Sequence, residues 1–221
     1  MSLSAEKSAL AELLVTSGVL RFGDFTLKSG RRSPYFFNLG ALHSGAAIQR
    51  LGEAYARRIL ASELEFDVVF GPAYKGIPVA VATAEALSRL GRDCAWAFDR
   101  KEVKDHGEGG AFVGGNVSGR VVLVDDVLTA GTAVRHALGL IRAAGGSVAG
   151  VVIALDRREL GDDGMTAVQA LAAEIGAPVS SLLTLEDVIG YLDAAAGGDN
   201  HQAALKERIE AYREAYCAGT S

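Results

Sequence analysis

Four apolar runs, FDVVFG (66–71), DCAWAF (93–98), RVVLVDD (120–126) and SVAGVVIALD (147–156), are separated by helical patterns. Their apolar stretches have the length of buried strands. Between them, IPVAVATAEALSRLG (77–91) and TAVRHALGLIRAAGG (132–146) space apolar residues three or four apart and end in glycine, as a helix and its C-terminal stop do. Strand alternating with helix demands crossover connections, and these give a mainly parallel sheet flanked by helices, an α/β fold. Ligands of such sheets lie at the carboxyl ends of the strands. The residues that follow each run are therefore the first candidates for function.

A chain of 221 residues supplies one sizeable hydrophobic core and is short for two. The expectation is a single domain over 1–221, with its core at about 41–160, a small cap from about 1–40 and part of 161–221, and a mobile lid at about 101–116. The formal net charge of −5 argues against a polyanion-binding surface, so no nucleic-acid partner is expected. Glu6, Lys7 and Glu12 interrupt the apolar N-terminal stretch, which reads as an amphipathic helix and lacks the unbroken core of a signal peptide. No run approaches the roughly 18 apolar residues of a membrane span, so no membrane partner is expected. Cys94 and Cys217 lie far apart, which suits a reducing, cytoplasmic location.

The third run ends in two adjacent carboxylates, Asp125 and Asp126, followed by the small-residue loop Thr129-Ala130-Gly131-Thr132 and a helix. Such a loop offers backbone N–H groups to a phosphate, and the helix N-terminus adds favourable partial charge. The carboxylates are acceptors only and suit neighbouring hydroxyls, as on a ribose. A sugar phosphate satisfies both halves. The GK[ST] ending of a triphosphate loop and the GxGxxG fingerprint are both missing. The plain alternative is that the pair ends a strand and caps a helix. After the first run, FDVVFGPAYKG (66–76) places Lys75 among small loop residues, either as an anion contact or as a solvated lysine. RKEVKDHGEGGAFVGGN (100–116) joins Arg100, Lys101, Lys104 and His106 to five glycines, either a lid closing over a polyanionic substrate or a solvated loop. His106 has no companions at metal-ligand spacing, so no protein metal site is expected.

Together these stretches resemble the type I phosphoribosyltransferases. TLKSGRRSPYFFNLG (26–40), GPAYKGIPVAVATAEAL (71–87), RKEVKDHGEGG (100–110), VVLVDDVLTAGTAVR (121–135) and ALDRRE (154–159) narrow the resemblance to their orotate-using branch. It runs through essentially the whole chain, departing in small ways such as Asp99 before Arg100 and Val103 in the lid. The resemblance implies transfer of the phosphoribosyl group of phosphoribosyl pyrophosphate to orotate. Asp125 and Asp126 would hold the ribose hydroxyls, Thr129, Ala130, Gly131 and Thr132 would cradle the 5-phosphate, and Val127, Leu128 and Ala133 would also contact phosphoribosyl pyrophosphate. Tyr74 and Lys75 would line the pyrophosphate site, with a cis peptide before Tyr74. Arg100, Lys101, Lys104 and His106 would also contact phosphoribosyl pyrophosphate. Lys28, Phe36, Phe37, Thr129 and Arg157 would bind orotate. Lys104, His106, Asp125 and Asp126 would be the catalytic groups. The resemblance also implies a homodimer in which Arg100, Lys104 and His106 reach the partner's site, and Mg2+ held mainly by substrate oxygens and water. A purine or uracil phosphoribosyltransferase, or a non-catalytic binder of the sugar pyrophosphate, are the rival readings.

Overall fold

The computed structural model describes residues 3–27, 29–104, 110–128, 131–196 and 200–219, with only the backbone described at 101–104, 196, 200 and 201. A six-stranded sheet forms its centre in the order β5-β4-β3-β6-β7-β8. The strands are β3 (Val68–Phe70), β4 (Ala95–Lys104), β5 (Gly110–Gly114), β6 (Arg120–Val127), β7 (Ser147–Asp156) and β8 (Val179–Thr184). All neighbours are parallel except β4 and β5. The α/β, mainly parallel architecture expected from the alternating runs is the one observed.

The four apolar runs became β3, β4, β6 and β7. β3 is shorter than its run, and beside its start Asp67 donates its N–H to the Arg120 carbonyl at 2.8 Å while its side chain accepts the Arg120 N–H at 2.8 Å. β4 continues to Lys104 because the glycine-rich stretch after it returns as the antiparallel edge strand β5. That strand was not expected, since glycine weakens strand propensity.

Helices α2 (Gly45–Leu60) and α3 (Gly76–Arg89) cover one sheet face, packing Leu51, Tyr55, Ile59, Val79 and Leu87 against Val69, Val122, Val124 and Val152. Helices α4 (Thr132–Ala143) and α5 (Ala167–Ile175) cover the other, with Val134, Leu138, Ile141 and Leu171 against Val68, Phe70, Leu123 and Ile153. The hairpin of β1 (Leu20–Thr26) and β2 (Arg32–Phe37) forms a separate two-stranded sheet. With α1 (Ala5–Thr16), α6 (Leu185–Ala196) and α7 (Asn200–Tyr216) it extends the first core outward, so Leu14, Tyr35, Val188 and Ile209 belong to the same apolar cluster as Val122.

From β3 the chain passes through α3 to β4 on one side, and from β6 through α4 to β7 on the other. β3 and β6 are direct neighbours. Their carboxyl ends therefore diverge at a topological switch point, where the connecting loops leave a crevice.

Candidate functional site at the switch point

The turn after β3 is closed by a pair of glycines. A Cβ on Gly71 would stand 2.0 Å from the Gly76 carbonyl oxygen, so the strand end and the first turn of α3 meet as bare backbone. Gly76 N–H donates to the Pro72 carbonyl at 3.0 Å. The Ala73–Tyr74 peptide is cis, as the resemblance implies. Ala73 N–H donates to Asp99 Oδ1 at 2.7 Å, and Asp99, on β4, is 4% exposed. Tyr74 projects from the turn, and Lys75 directly precedes α3.

On the adjacent strand, Asp125 and Asp126 are both buried. Asp125 Oδ1 accepts the Asp126 N–H at 2.9 Å and Asp126 Oδ1 accepts the Val127 N–H at 2.8 Å. Each carboxylate thus spends one oxygen on the chain's own backbone. The Asp126 Oδ2 meets Lys75 Nζ at 2.7 Å, joining the two strand ends. Beneath them, Tyr55 of α2 donates its hydroxyl to the Asp125 carbonyl at 2.7 Å. Burial first, and then the Asp126 charge, push the Asp125 carboxyl up to about 7, although the Asp126 N–H and Lys75 act in the opposite sense.

Gly131 leads into α4 with φ +65°, a left-handed conformation that favours glycine. Among the described residues no side chain caps this helix, which leaves the first-turn N–H groups of Thr132, Ala133 and Val134 facing the same sheet end, where they suit an anion. Thr132 and Ala133 are exposed, Val127 is half-buried, and Leu128 is buried in the second core.

Arg157 follows β7 and is 7% exposed. Its Nε donates to Glu159 Oε1 at 2.6 Å, and its Nη2 faces Ser33 Oγ at 3.3 Å and Tyr212 Oη at 3.4 Å. The Tyr35 ring lies 4.3 Å from the guanidinium carbon. Strand alternation in β2 sends Tyr35 and Phe37 to one face and Phe36 to the other. Phe37 is accordingly core, whereas Phe36 is half-buried and stacks on Phe25 at 5.4 Å, with Arg21 over both rings. The fold therefore brings Tyr74, Lys75, Asp125, Asp126 and the start of α4 to one crevice, and Arg157 to the β2 face opposite the Phe36 ring.

Arg100 sits half-buried on β4, its Nε without a hydrogen-bond partner among the described residues. Lys101 and Lys104 lie on β4 with only their backbone described. Lys28, His106, Thr129 and Ala130 lie outside the described residues. Four supporting groups escaped the reading of the sequence. Asp99 ends an apolar run as Asp125 does, and that signal was there to be read. Glu159 stands two places after Arg157. Tyr55 and Tyr212 looked like ordinary apolar-face residues of helices.

A phosphoribosyl transferase domain family matches residues 38–171. The chain is 50% identical over 217 residues to an orotate phosphoribosyltransferase of Stenotrophomonas maltophilia, covering 97% of each. The crystal structure of orotate phosphoribosyltransferase from Francisella tularensis superposes with a TM-score of 0.82 at 36% identity, covering 95% of this chain and all of that one. The orotate phosphoribosyltransferase of Mycobacterium tuberculosis, solved in complex with 5-phospho-α-D-ribosyl 1-diphosphate, is similar with a TM-score of 0.59 at 28% identity, covering 83% of this chain and 98% of that one.

Proposed function

Because this chain belongs to the orotate phosphoribosyltransferases, we propose that it joins N1 of orotate to C1 of phosphoribosyl pyrophosphate. The products are pyrophosphate and orotidine 5'-monophosphate, a step of pyrimidine (UMP) synthesis. The observation that carries this reading is the meeting of Lys75 with Asp126 at the switch point, beside an uncapped helix start. One crevice there offers a cation to a pyrophosphate, carboxylates to ribose hydroxyls, and N–H groups to a 5-phosphate.

Displacement at C1 develops positive character on the ribose and extra negative charge on the leaving pyrophosphate. Fixed carboxylates beneath the sugar and cations around the leaving group favour that redistribution, and no protein nucleophile is required. Lys75 and the lid residue Lys104 fit the second role, and Asp125 and Asp126 the first. Arg100, Lys101 and His106 add to the phosphate contacts. Lys28, Thr129 and the Phe36–Phe37 segment border the base, while Arg157 faces the carboxylate of orotate. Closure of the lid at about 101–116 excludes water that would hydrolyse the activated ribose.

Two of the four oxygens of the Asp pair accept backbone N–H groups. That donor set fits a hard cation carried on substrate oxygens and water, with the Asp pair at its edge. Mg2+ held in this way would supply positive charge against the pyrophosphate. The chain's own part is to keep Asp125 and Asp126 oriented through the backbone bonds that hold them. Two free cysteines agree with a cytoplasmic setting, and no helix among the described residues is long and apolar enough to cross a membrane.

A purified sample given orotate, phosphoribosyl pyrophosphate and Mg2+ is expected to consume orotate, followed by its absorbance, and to leave uracil and purine bases untouched. Turnover of those bases in place of orotate would refute the assignment.

The active form is a homodimer that shares its sites. Val81 of α3 and Trp96 of β4, 39% and 38% exposed, supply apolar surface for a second copy. Mixing Lys104→Ala protein with Asp126→Asn protein is then expected to restore about one site in four after statistical exchange, because one site of each mixed dimer escapes both defects. If native mass measurement shows mixed dimers and no activity returns, the lid serves its own subunit.

A further inference from the structure

The geometry points to Tyr212 as a positioning residue for Arg157, through which the C-terminal helix sets the enzyme's grip on the carboxylate of orotate. This rests on the assignment of Arg157 to that carboxylate. Tyr212, on α7, is 4% exposed and 55 residues away in sequence. Its hydroxyl donates to Glu159 Oε1 at 2.7 Å, the same oxygen that takes Arg157 Nε at 2.6 Å. With its proton committed to Glu159, the hydroxyl presents a lone pair to Arg157 Nη2 at 3.4 Å. Burial, and then the bond to Glu159, push the Tyr212 phenol up to about 12, so that proton stays in place at neutral pH.

The guanidinium is therefore fixed at three points: its Nε edge by Glu159, its Nη2 by Ser33 and Tyr212, and its face by the Tyr35 ring. Nη1 makes no hydrogen bond among the described residues and is the donor left for a ligand. The Nη2 contacts, at 3.3 and 3.4 Å, are longer than the usual range. A carboxylate that takes Nη1 gains a donor while Ser33 and Tyr212 still hold Nη2, so the guanidinium keeps its angle. Charge agrees with this. Arg31 Nη1 lies 3.6 Å from Glu159 Oε2, so two arginines face one glutamate, and an added carboxylate balances them.

Stability alone gives little reason for such a cluster, because buried ion pairs recover their desolvation cost poorly and apolar replacements often fold as well. Orientation does. The C-terminal segment is fastened to the residues just after Arg157: Leu160 N–H donates to the Tyr216 carbonyl at 2.8 Å, and Ala218 N–H donates to the Arg158 carbonyl at 2.9 Å. The Arg157 carbonyl itself accepts Cys217 Sγ–H at 3.4 Å. The segment that carries Tyr212 is thus tied to the segment that carries Arg157, and the hydroxyl is the one part of Tyr212 that bears on the guanidinium's donor end.

The test is Tyr212→Phe, which keeps the ring and removes the hydroxyl. Its KM for orotate is expected to rise about 5- to 20-fold, the loss of one charge-linked hydrogen bond. The KM for phosphoribosyl pyrophosphate and the thermal midpoint should stay near wild type. In an Arg157→Ala background the same change should have no further effect on orotate, because Tyr212 acts through Arg157. If Arg157→Ala weakens orotate use and Tyr212→Phe does not, the positioning role is overturned and the Arg157 assignment stands. If Arg157→Ala itself leaves orotate KM and kcat unchanged, the assignment falls, and the positioning role with it. Equal weakening toward both substrates with a lowered midpoint would show a purely structural tyrosine and would also overturn the proposal.

Discussion

Replacing Asp126 with asparagine (Asp126→Asn) is expected to lower kcat/KM by about 10²- to 10³-fold, the range found when one preorganised electrostatic group is removed from an active site. Asparagine has the same shape and keeps a carbonyl oxygen for the Val127 N–H that Asp126 Oδ1 now accepts at 2.8 Å. The backbone at the strand end should therefore hold. What disappears is the negative charge proposed to lie beneath the ribose and the 2.7 Å partner of Lys75. Full activity in the purified variant would mean that the ribose lies elsewhere. Lys75 also explains why Asp126 can be buried at all: the lysine is half exposed and offsets the carboxylate.

Asp125→Asn should lose activity similarly but carry a signature in stability. The Asp125 carboxyl is held up at about 7 against an ordinary 3.8. The folded state therefore binds this proton more tightly than the unfolded chain does. Its stabilising contribution is complete below the unfolded value and is lost as pH rises through about 7. Between pH 5 and 8 that loss amounts to roughly 2–3 kcal/mol for the wild type. Asparagine does not titrate, so Asp125→Asn should gain on the wild type in thermal midpoint as pH increases across that interval. A constant difference between the two proteins would show that Asp125 does not ionise there. In the proposed role the carboxylate accepts the ribose hydroxyls, so the wild type is also expected to bind phosphoribosyl pyrophosphate more tightly at pH 8 than at pH 6.

The strands that build the crevice were legible because burial on both faces leaves an apolar run in the sequence, as at Val121–Val124. Lys75 and the Asp pair were legible because polar groups directly after such runs stand out. β5 was not, since Gly110 and Gly114 carry no strand signal and their pairing with β4 is a tertiary event. Tyr55 and Tyr212 were hidden for a related reason: the hydroxyl partners that distinguish them lie 70 and 53 residues away. In the sequence they read as aromatic residues on helix faces. Phe36 and Phe37, adjacent in a motif, were separated only by the strand's period of two, which sends one ring to the core and the other to the opposite face. Asp99 shows the limit from the other side, because its value lies in one backbone amide, that of Ala73.

Gly71→Ala should be among the most damaging single-methyl changes in the chain. The added Cβ would lie 2.0 Å from the Gly76 oxygen, 2.4 Å from its carbonyl carbon and 2.9 Å from Ala80 Cβ. The first two are backbone atoms, and no side-chain rotation moves them. Either β3 must draw back from the sheet, where Gly71 N–H is bonded to the Ala97 carbonyl at 3.0 Å, or α3 must shift along its axis. Overlaps of this kind cost about 3 kcal/mol or more, which for a chain of this size lowers the thermal midpoint by about 6–12 °C. The same shift carries Lys75 away from Asp126 and strains the Ala73 bond to Asp99. A displacement near 1 Å is enough to reduce turnover about 10²-fold in a preorganised site. Gly139→Ala is the control. Gly139 lies in the exposed face of α4, nothing stands within 4 Å of its Cβ position, and alanine there should be neutral or stabilising by up to about 1 kcal/mol. Should the two variants melt together with wild-type activity, the close approach of β3 and α3 does not hold the crevice in shape, and the placement of Lys75 must depend on something other than the Gly71–Gly76 contact.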